Sequence, residues 1–335
     1  MSTPQENKIH KDLAPMIISG LQSSPRFFPS LLLWDATGVL TYERIMKSPD
    51  YYLTPTETSL IRLHADAIAS KIPPNSAILE LGSGSLTKTY LLLSALARQG
   101  KTITYYALDV CPSTLKSSLA TLRHALHKHT PPTSITCRPL CMTYADGIAW
   151  LAADPSLTGQ AVSVLWLGSS FANESRGDFQ GLLAGIAGSG RAVQVLVAAD
   201  GVKDGERVRR AYDTRDGLSR AFVMNVLENA NASLGDRVFD AAKWGFEGEW
   251  DGEAGVFQTS ICAREEQVVT IGGEEVTIGE GERVKVIASR KLGEGEVRAW
   301  LEGTAFEVGD VWRHPELDYC EFMKRCHFVL AMANF

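Results

Sequence analysis

Ile78-Leu-Glu-Leu-Gly-Ser-Gly-Ser-Leu-Thr-Lys88 is a short apolar run broken by two glycines. Ile78, Leu79 and Leu81 suit a buried strand, and Gly82 and Gly84 let the backbone turn sharply and approach a ligand, so the segment predicts strand, tight loop and helix. Downstream, Thr102-Ile-Thr-Tyr-Tyr-Ala-Leu-Asp109 predicts a second strand that ends in a carboxylate. In a doubly wound sheet a carboxylate at that strand end accepts hydrogen bonds from ribose hydroxyls. The glycine loop and the acidic strand end together mark a nucleotide-cofactor site anchored on Gly82, Gly84 and Asp109.

Two cofactor classes use such a pair. Dinucleotide enzymes carry G-x-G-x-x-G, whose third glycine permits close helix–strand packing, and here Thr87 stands in that place. Glu80 ahead of the first glycine gives E-x-G-x-G instead, the pattern of class I S-adenosylmethionine methyltransferases, whose cofactor has no phosphate to cradle. A G-x-G in this setting also occurs as a purely structural turn. No G-x-x-x-x-G-K-[ST] occurs, which excludes a Walker phosphate loop.

The 335 residues suffice for one large α/β domain with an insertion, or for two domains. A net charge of −6 argues against a nucleic-acid partner, because backbone binding needs clustered Lys and Arg. Six cysteines include no C-x-x-C and match no zinc spacing, so reduced thiols and no metal are expected. His124, His127 and His129 lie on one predicted helix without acidic or thiolate partners and read as an exposed helix end. The polar N-terminus lacks an apolar signal segment and no apolar run approaches the ~18 residues of a membrane span, so a cytoplasmic protein without membrane contact is expected. Nothing in the sequence sets an oligomeric state.

In chain order, a helix is predicted at 13–21, turns at 23–29 and at Asp35-Ala-Thr-Gly38, and a loop from Ser48 into a helix ending near Lys71. Thr54 and Thr56 are both candidate N-caps, and Thr54, with Pro55 next and Glu57 three residues on, has capping-box spacing. After the glycine loop come a helix at 88–99, the strand to Asp109, a helix at 112–129, and strands at 135–142, 162–168 and 193–199. Thr143 and Tyr144 follow the third strand, where a methyltransferase holds adenine, and Asn173 lies in the polar loop off the fourth, facing a reaction centre. About ninety residues then intervene, too many for an unstructured connection, and predict an inserted subdomain with helices at 208–213 and 218–230 and strands at 257–263, 268–271 and 282–289. Residues 300–308 and 322–331 are expected to close the sheet.

These positions taken together resemble the histidine-specific N-α-methyltransferases of ergothioneine biosynthesis and their fungal relatives acting on tryptophan derivatives. The matches run in register: Asp35-Ala-x-Gly38, Pro49-x-Tyr-Tyr52, Thr56-Glu57, Glu80-Leu-Gly-Ser-Gly84, Lys88-Thr89, Asp109-Val110, Leu167-Gly-Ser-x-x-x-Asn173, Val202-Lys-Asp204, Arg210-Ala-Tyr-Asp213, Asn225-Val-Leu227 and Ala242-Lys-Trp244. The resemblance implies an α/β fold with a class I Rossmann-like methyltransferase domain (61–200 and 291–335) and a second, α+β substrate domain (1–60 and 201–290). It implies S-adenosylmethionine as cofactor, with Gly82, Gly84, Lys88, Asp109, Thr143 and Tyr144 contacting it, and Tyr51, Asn173 and Tyr212 holding the head group of a small-molecule amino acid. Two departures bear on the substrate. The histidine enzymes have tyrosine where Trp34 stands, and a glutamate against the imidazole where Ile287 stands, two residues before Ser289. A slipped register would bring Glu282 into that place. Isoleucine cannot pair with an imidazole N–H, so tryptophan or a derivative is expected, with histidine as the alternative. A dinucleotide oxidoreductase is opposed by Thr87, and a non-catalytic cofactor-binding scaffold by the retained head-group positions.

Overall fold

The structure, a computed structural model, describes residues 4–129 and 134–326. The chain divides into two compact units, Met1–Tyr52 with Lys203–Arg290 and Leu53–Val202 with Lys291–Phe335. The expected boundary at 60/61 falls inside a helix, and a helix packs as one body, so the whole of it stays with the second unit.

The first unit opens with α1 (Pro4–Gln22) and α2 (Ala36–Ile45). The expected turn at Asp35–Gly38 is the start of α2, because the Asp35 carboxylate caps it by accepting from the Thr37 and Gly38 amides at 3.3 and 2.9 Å. Gly38 is needed for close approach, since a Cβ there would run into the Leu33 carbonyl oxygen.

The second unit begins with α3 (Leu53–Lys71) and continues through β1 (Ser76–Leu81), α4 (Thr87–Arg98), β2 (Ile103–Asp109), α5 (Pro112–His129), β3 (Ile135–Cys141), α6 (Tyr144–Ala153), β4 (Val162–Trp166), α7 (Arg176–Gly188) and β5 (Ala192–Asp200). Thr54 is not the cap of α3: the helix starts one residue earlier, and Glu57 turns into the interior instead of back to the helix end. β1 and β4 are buried throughout, as strands covered on both faces must be.

The chain then returns to the first unit with α8 (Gly205–Tyr212), α9 (Leu218–Leu234), β6 (Trp244–Asp251), β7 (Val256–Ala263), β8 (Gln267–Ile271), β9 (Glu274–Ile278) and β10 (Arg283–Arg290). The order β10-β7-β6 forms an antiparallel sheet and β8-β9 a hairpin. β6 and β9 go beyond the expected strands: two glycines and three acidic residues hide β6, and β9 follows the Gly272-Gly273 turn, both residues at positive φ. The N-terminal segment joins this unit through the backbone, with Phe28 N donating to Lys285 O at 2.8 Å and Lys285 N to Arg26 O at 3.0 Å. Asn229 and Asn225 of α9 donate to Leu32 O and to the Asp35 carboxylate, both at 2.7 Å.

The second unit closes with α10 (Glu294–Leu301), β11 (Phe306–Arg313) and β12 (Tyr319–Cys326). Trp300 lies in α10 and not in a strand, because Glu296 accepts from the Gly293 amide at 2.7 Å and starts a helix there. The expected extension to 331 lies beyond the described residues. The seven strands run β11-β12-β5-β4-β1-β2-β3, all in one direction except β12, which is antiparallel to both β5 and β11. Strand order reverses between β1 and β4, so the ligand crevice of such a sheet opens at their carboxyl ends. No helix among the described residues is long and apolar enough to cross a membrane.

Candidate active site

In the second unit the glycine turn has the predicted geometry. Gly82 and Gly84 sit at φ +68° and +53°, and a Cβ on Gly82 would meet the Tyr144 hydroxyl at 2.6 Å, so both conformation and space require glycine. Asp109 ends β2 and accepts from the amides of Gly84 at 3.1 Å and Cys111 at 3.2 Å. Desolvation pushes its carboxyl above the ordinary range, while those backbone donors act the other way. Thr143 caps α6, accepting from the Asp146 amide at 3.2 Å and donating to its carboxylate at 2.7 Å. Tyr144 is held neutral by burial first and by Asp109 second. The buried Ser83 hydroxyl, between the two glycines, has no protein partner among the described residues. A turn that offers positive-φ glycines, an unbonded hydroxyl and a strand-end carboxylate fits an adenosyl cofactor with free ribose hydroxyls.

Below that turn lies a buried polar layer. Glu80 accepts from Thr89 Oγ1 at 2.8 and 3.0 Å and from Tyr105 Oη at 2.5 Å, yet burial still pushes its carboxyl up to about 7. Lys88 reaches Glu57 at 2.6 Å. Asn173 ends the short 3-10 helix Ser170–Asn173, placed directly after β4 by the turn at Gly168, φ +78°.

In the first unit Trp34, Tyr51 and Tyr212 belong to one chain of rings. Trp34 meets Tyr42 and Phe222 at centroid distances of 5.2 and 5.3 Å, Tyr51 meets Tyr42 and Tyr212 at 6.1 and 6.2 Å, and Tyr212 stacks on Phe257 at 5.2 Å and 22°. The Tyr42 and Tyr51 hydroxyls are 2.8 Å apart. Burial, reinforced by Tyr42 and Tyr212, raises Tyr51 well above the usual phenol value, so it acts as a neutral hydrogen-bonding group and not as a base.

Ile287 and Ser289 share this surface. Ser289 pairs with Phe257 and Ile287 with Thr259 across the β10–β7 ladder, and directly opposed residues point to the same face. Glu282 is engaged elsewhere: it pairs with Arg26 at 2.6 Å and accepts from the Gly279 amide at 2.9 Å. Sequence reasoning missed Tyr42, Phe222 and Phe257 as partners of the expected tyrosines. Tyr42 is hidden because a turn at Asp35–Gly38 gives no helix to carry it. Gly248 was a signal for Phe257, since its missing side chain makes room for that ring.

Strand order, the glycine turn and Asp109 define a class I S-adenosylmethionine-dependent methyltransferase. Residues 13–326 match the family described as histidine-specific methyltransferase, SAM-dependent, and the chain belongs to that family. It is similar to the N-methyltransferase dtpB of Aspergillus flavus, 36% identical over 93% of this chain and 88% of the relative. The ergothioneine biosynthesis protein 1 of Neurospora crassa is 36% identical over 88% of this chain but only 32% of its own length. The 4-dimethylallyltryptophan N-methyltransferase easF of Aspergillus fumigatus is 26% identical over 95% of this chain and 94% of the relative.

Proposed function

We propose that this enzyme transfers a methyl group from S-adenosylmethionine to the α-amine of a free aromatic amino acid, tryptophan or a tryptophan derivative in preference to histidine. The observation that carries the substrate choice is Ile287, which lies on the Phe257–Tyr212 face of the sheet with Ser289 while the nearby Glu282 is bound to Arg26. Leaving an imidazole N–H unpaired in such surroundings costs about 1–3 kcal/mol, roughly tenfold to a hundredfold in selectivity. A broad indole needs its faces covered more than it needs bonds. The relatives named for 4-dimethylallyltryptophan agree with that preference, and the ergothioneine relative marks histidine as the alternative.

The cofactor supplies an electrophilic methyl group, so no side-chain nucleophile is called for. Gly82, Gly84, Asp109, Lys88, Thr143 and Tyr144 would hold it. The protein's task is then to hold a neutral amine in line with that methyl carbon, about 3–3.5 Å away. A desolvated setting beside a sulfonium disfavours the ammonium form and releases its proton to solvent. Tyr51, Asn173 and Tyr212 fix the head group, and Tyr51 offers its hydroxyl from a position already held by Tyr42. Incubating the purified protein with S-adenosylmethionine and a pool of amino acids tests this directly by mass. A gain of one or more methyl groups on tryptophan or a ring-substituted analogue is expected, and methylation of histidine alone would overturn the reading.

A further inference from the structure

Glu57 is a buried carboxylate of the second unit that accepts from three different residues and that the reading above leaves without a role. It stands one turn into α3, and its side chain is 1% exposed. Oε1 accepts from the Gly168 amide at 2.8 Å. Oε2 accepts from Lys88 Nζ at 2.6 Å and from Tyr319 Oη at 2.8 Å. One carboxylate thus joins α3, α4, the turn after β4, and β12.

A buried ion pair is weak as a source of stability, because desolvating both charges offsets most of their attraction. What it does provide is direction. Lys88 is 21% exposed, so its ammonium is not sealed in, and a lysine ammonium has three N–H donors, of which Glu57 takes one. The backbone donor and the phenol hold the carboxylate rigidly, and the carboxylate in turn fixes a side chain that is otherwise flexible. Tyr319 is itself kept neutral by burial and by Glu57, so it remains a donor.

We infer that Glu57 is a positioning residue that acts through Lys88: held by the Gly168 amide and the Tyr319 hydroxyl, it aims the Lys88 ammonium at the carboxylate of the cofactor's amino-acid tail. This rests on the assignment of Lys88 to the cofactor, and its test needs no amino-acid substrate.

The test is a double-mutant cycle on S-adenosylhomocysteine affinity, measured by calorimetry with Glu57→Gln, Lys88→Met and the double variant. Glutamine keeps the acceptor for Gly168 but presents no charge to Lys88, so Glu57→Gln should weaken binding about tenfold, the size of a charge-assisted bond. Lys88→Met should weaken it at least as much. Because Glu57 acts through Lys88, the double variant should bind no worse than Lys88→Met alone. Glu57→Asp, which keeps the charge on a shorter arm, should recover part of the loss and serves if the glutamine variant does not fold. Losses that add in the double variant, or wild-type affinity in a folded Glu57→Gln, overturn the inference while leaving Lys88 in place. Wild-type affinity in Lys88→Met overturns the cofactor assignment of Lys88, and the inference with it.

Discussion

Around its glycine turn the second unit buries charge, while the first unit gathers rings around Tyr51 and Tyr212. Glu57, Glu80, Glu321 and Lys324 are buried under or within the seven-stranded sheet, with the half-buried Lys88 against Glu57, and among the described residues all but Glu321 and Lys324 are bonded to named partners. The first unit instead brings together Tyr42, Tyr212 and Phe222 from three helices, Phe257 from β7, and Trp34 and Tyr51 from connecting segments, joined by edge and stacking contacts and one hydroxyl pair. Fixed charges suit a cofactor whose ribose and amino-acid tail are the same in every turnover. A ring-lined surface recognises shape, and only an added or missing polar group changes its preference sharply. Substitutions at the charged positions around the glycine turn should therefore change cofactor affinity, and those among the head-group residues and rings should change how well, or which, amino acid reacts.

The largest effect is expected at Asp109. With Asp109→Ala the ribose hydroxyls lose a charged acceptor that Gly84 and Cys111 hold in place, and S-adenosylhomocysteine affinity should fall about a hundredfold or more. Calorimetry reads this, and unchanged affinity would break the division of labour at its strongest point.

Next is the head group. Asn173→Ala or Tyr212→Phe should leave cofactor affinity at its wild-type value while lowering kcat/KM for the amino acid about tenfold to a hundredfold, as expected for one lost hydrogen bond to a bound polar group. A variant that lost cofactor binding with normal amino-acid affinity would reverse the assigned roles.

The smallest effect concerns stability alone. Lys324 Nζ has no hydrogen-bond partner among the described residues and lies 4.8 and 5.5 Å from the Phe179 and Phe171 ring centres. Burial lowers its ammonium to about 7. The folded state then binds fewer protons than the unfolded one between that value and the ordinary lysine range, so stability rises with pH across that window and the penalty is full below it. Lys324→Met should raise the melting temperature by roughly 2–4 °C at pH 6. The gain should shrink as the pH climbs toward the ordinary lysine value, and a gain independent of pH would contradict the assignment.

The second unit was far more legible in the sequence than the first. Ile78–Lys88 and Asp109 announce themselves because local backbone geometry and a strand-end carboxylate are written in adjacent residues. β1 and β4 are mostly apolar and buried at every position, interrupted only by Ser76, Glu80 and Ser163. The surface of the first unit is assembled from residues far apart in sequence, such as Tyr51 with Tyr212 and Phe257, and no local pattern marks them as neighbours. Where local signals existed they were weak: Asp35 reads equally as turn and cap, and the Glu- and Gly-rich β6 has little strand propensity. The bonding of Glu57 to Gly168 and Tyr319 spans 111 and 262 residues and was beyond any reading of spacing.

The substrate preference is most directly tested by competition between L-tryptophan and L-histidine, with kcat/KM determined for each in the wild type and in Ile287→Glu. The wild type should favour tryptophan or its ring-substituted derivative, and the glutamate, by offering the imidazole an acceptor, should move the ratio toward histidine by about tenfold to a hundredfold. A wild-type preference for histidine, or a ratio indifferent to Ile287→Glu, would contradict the account.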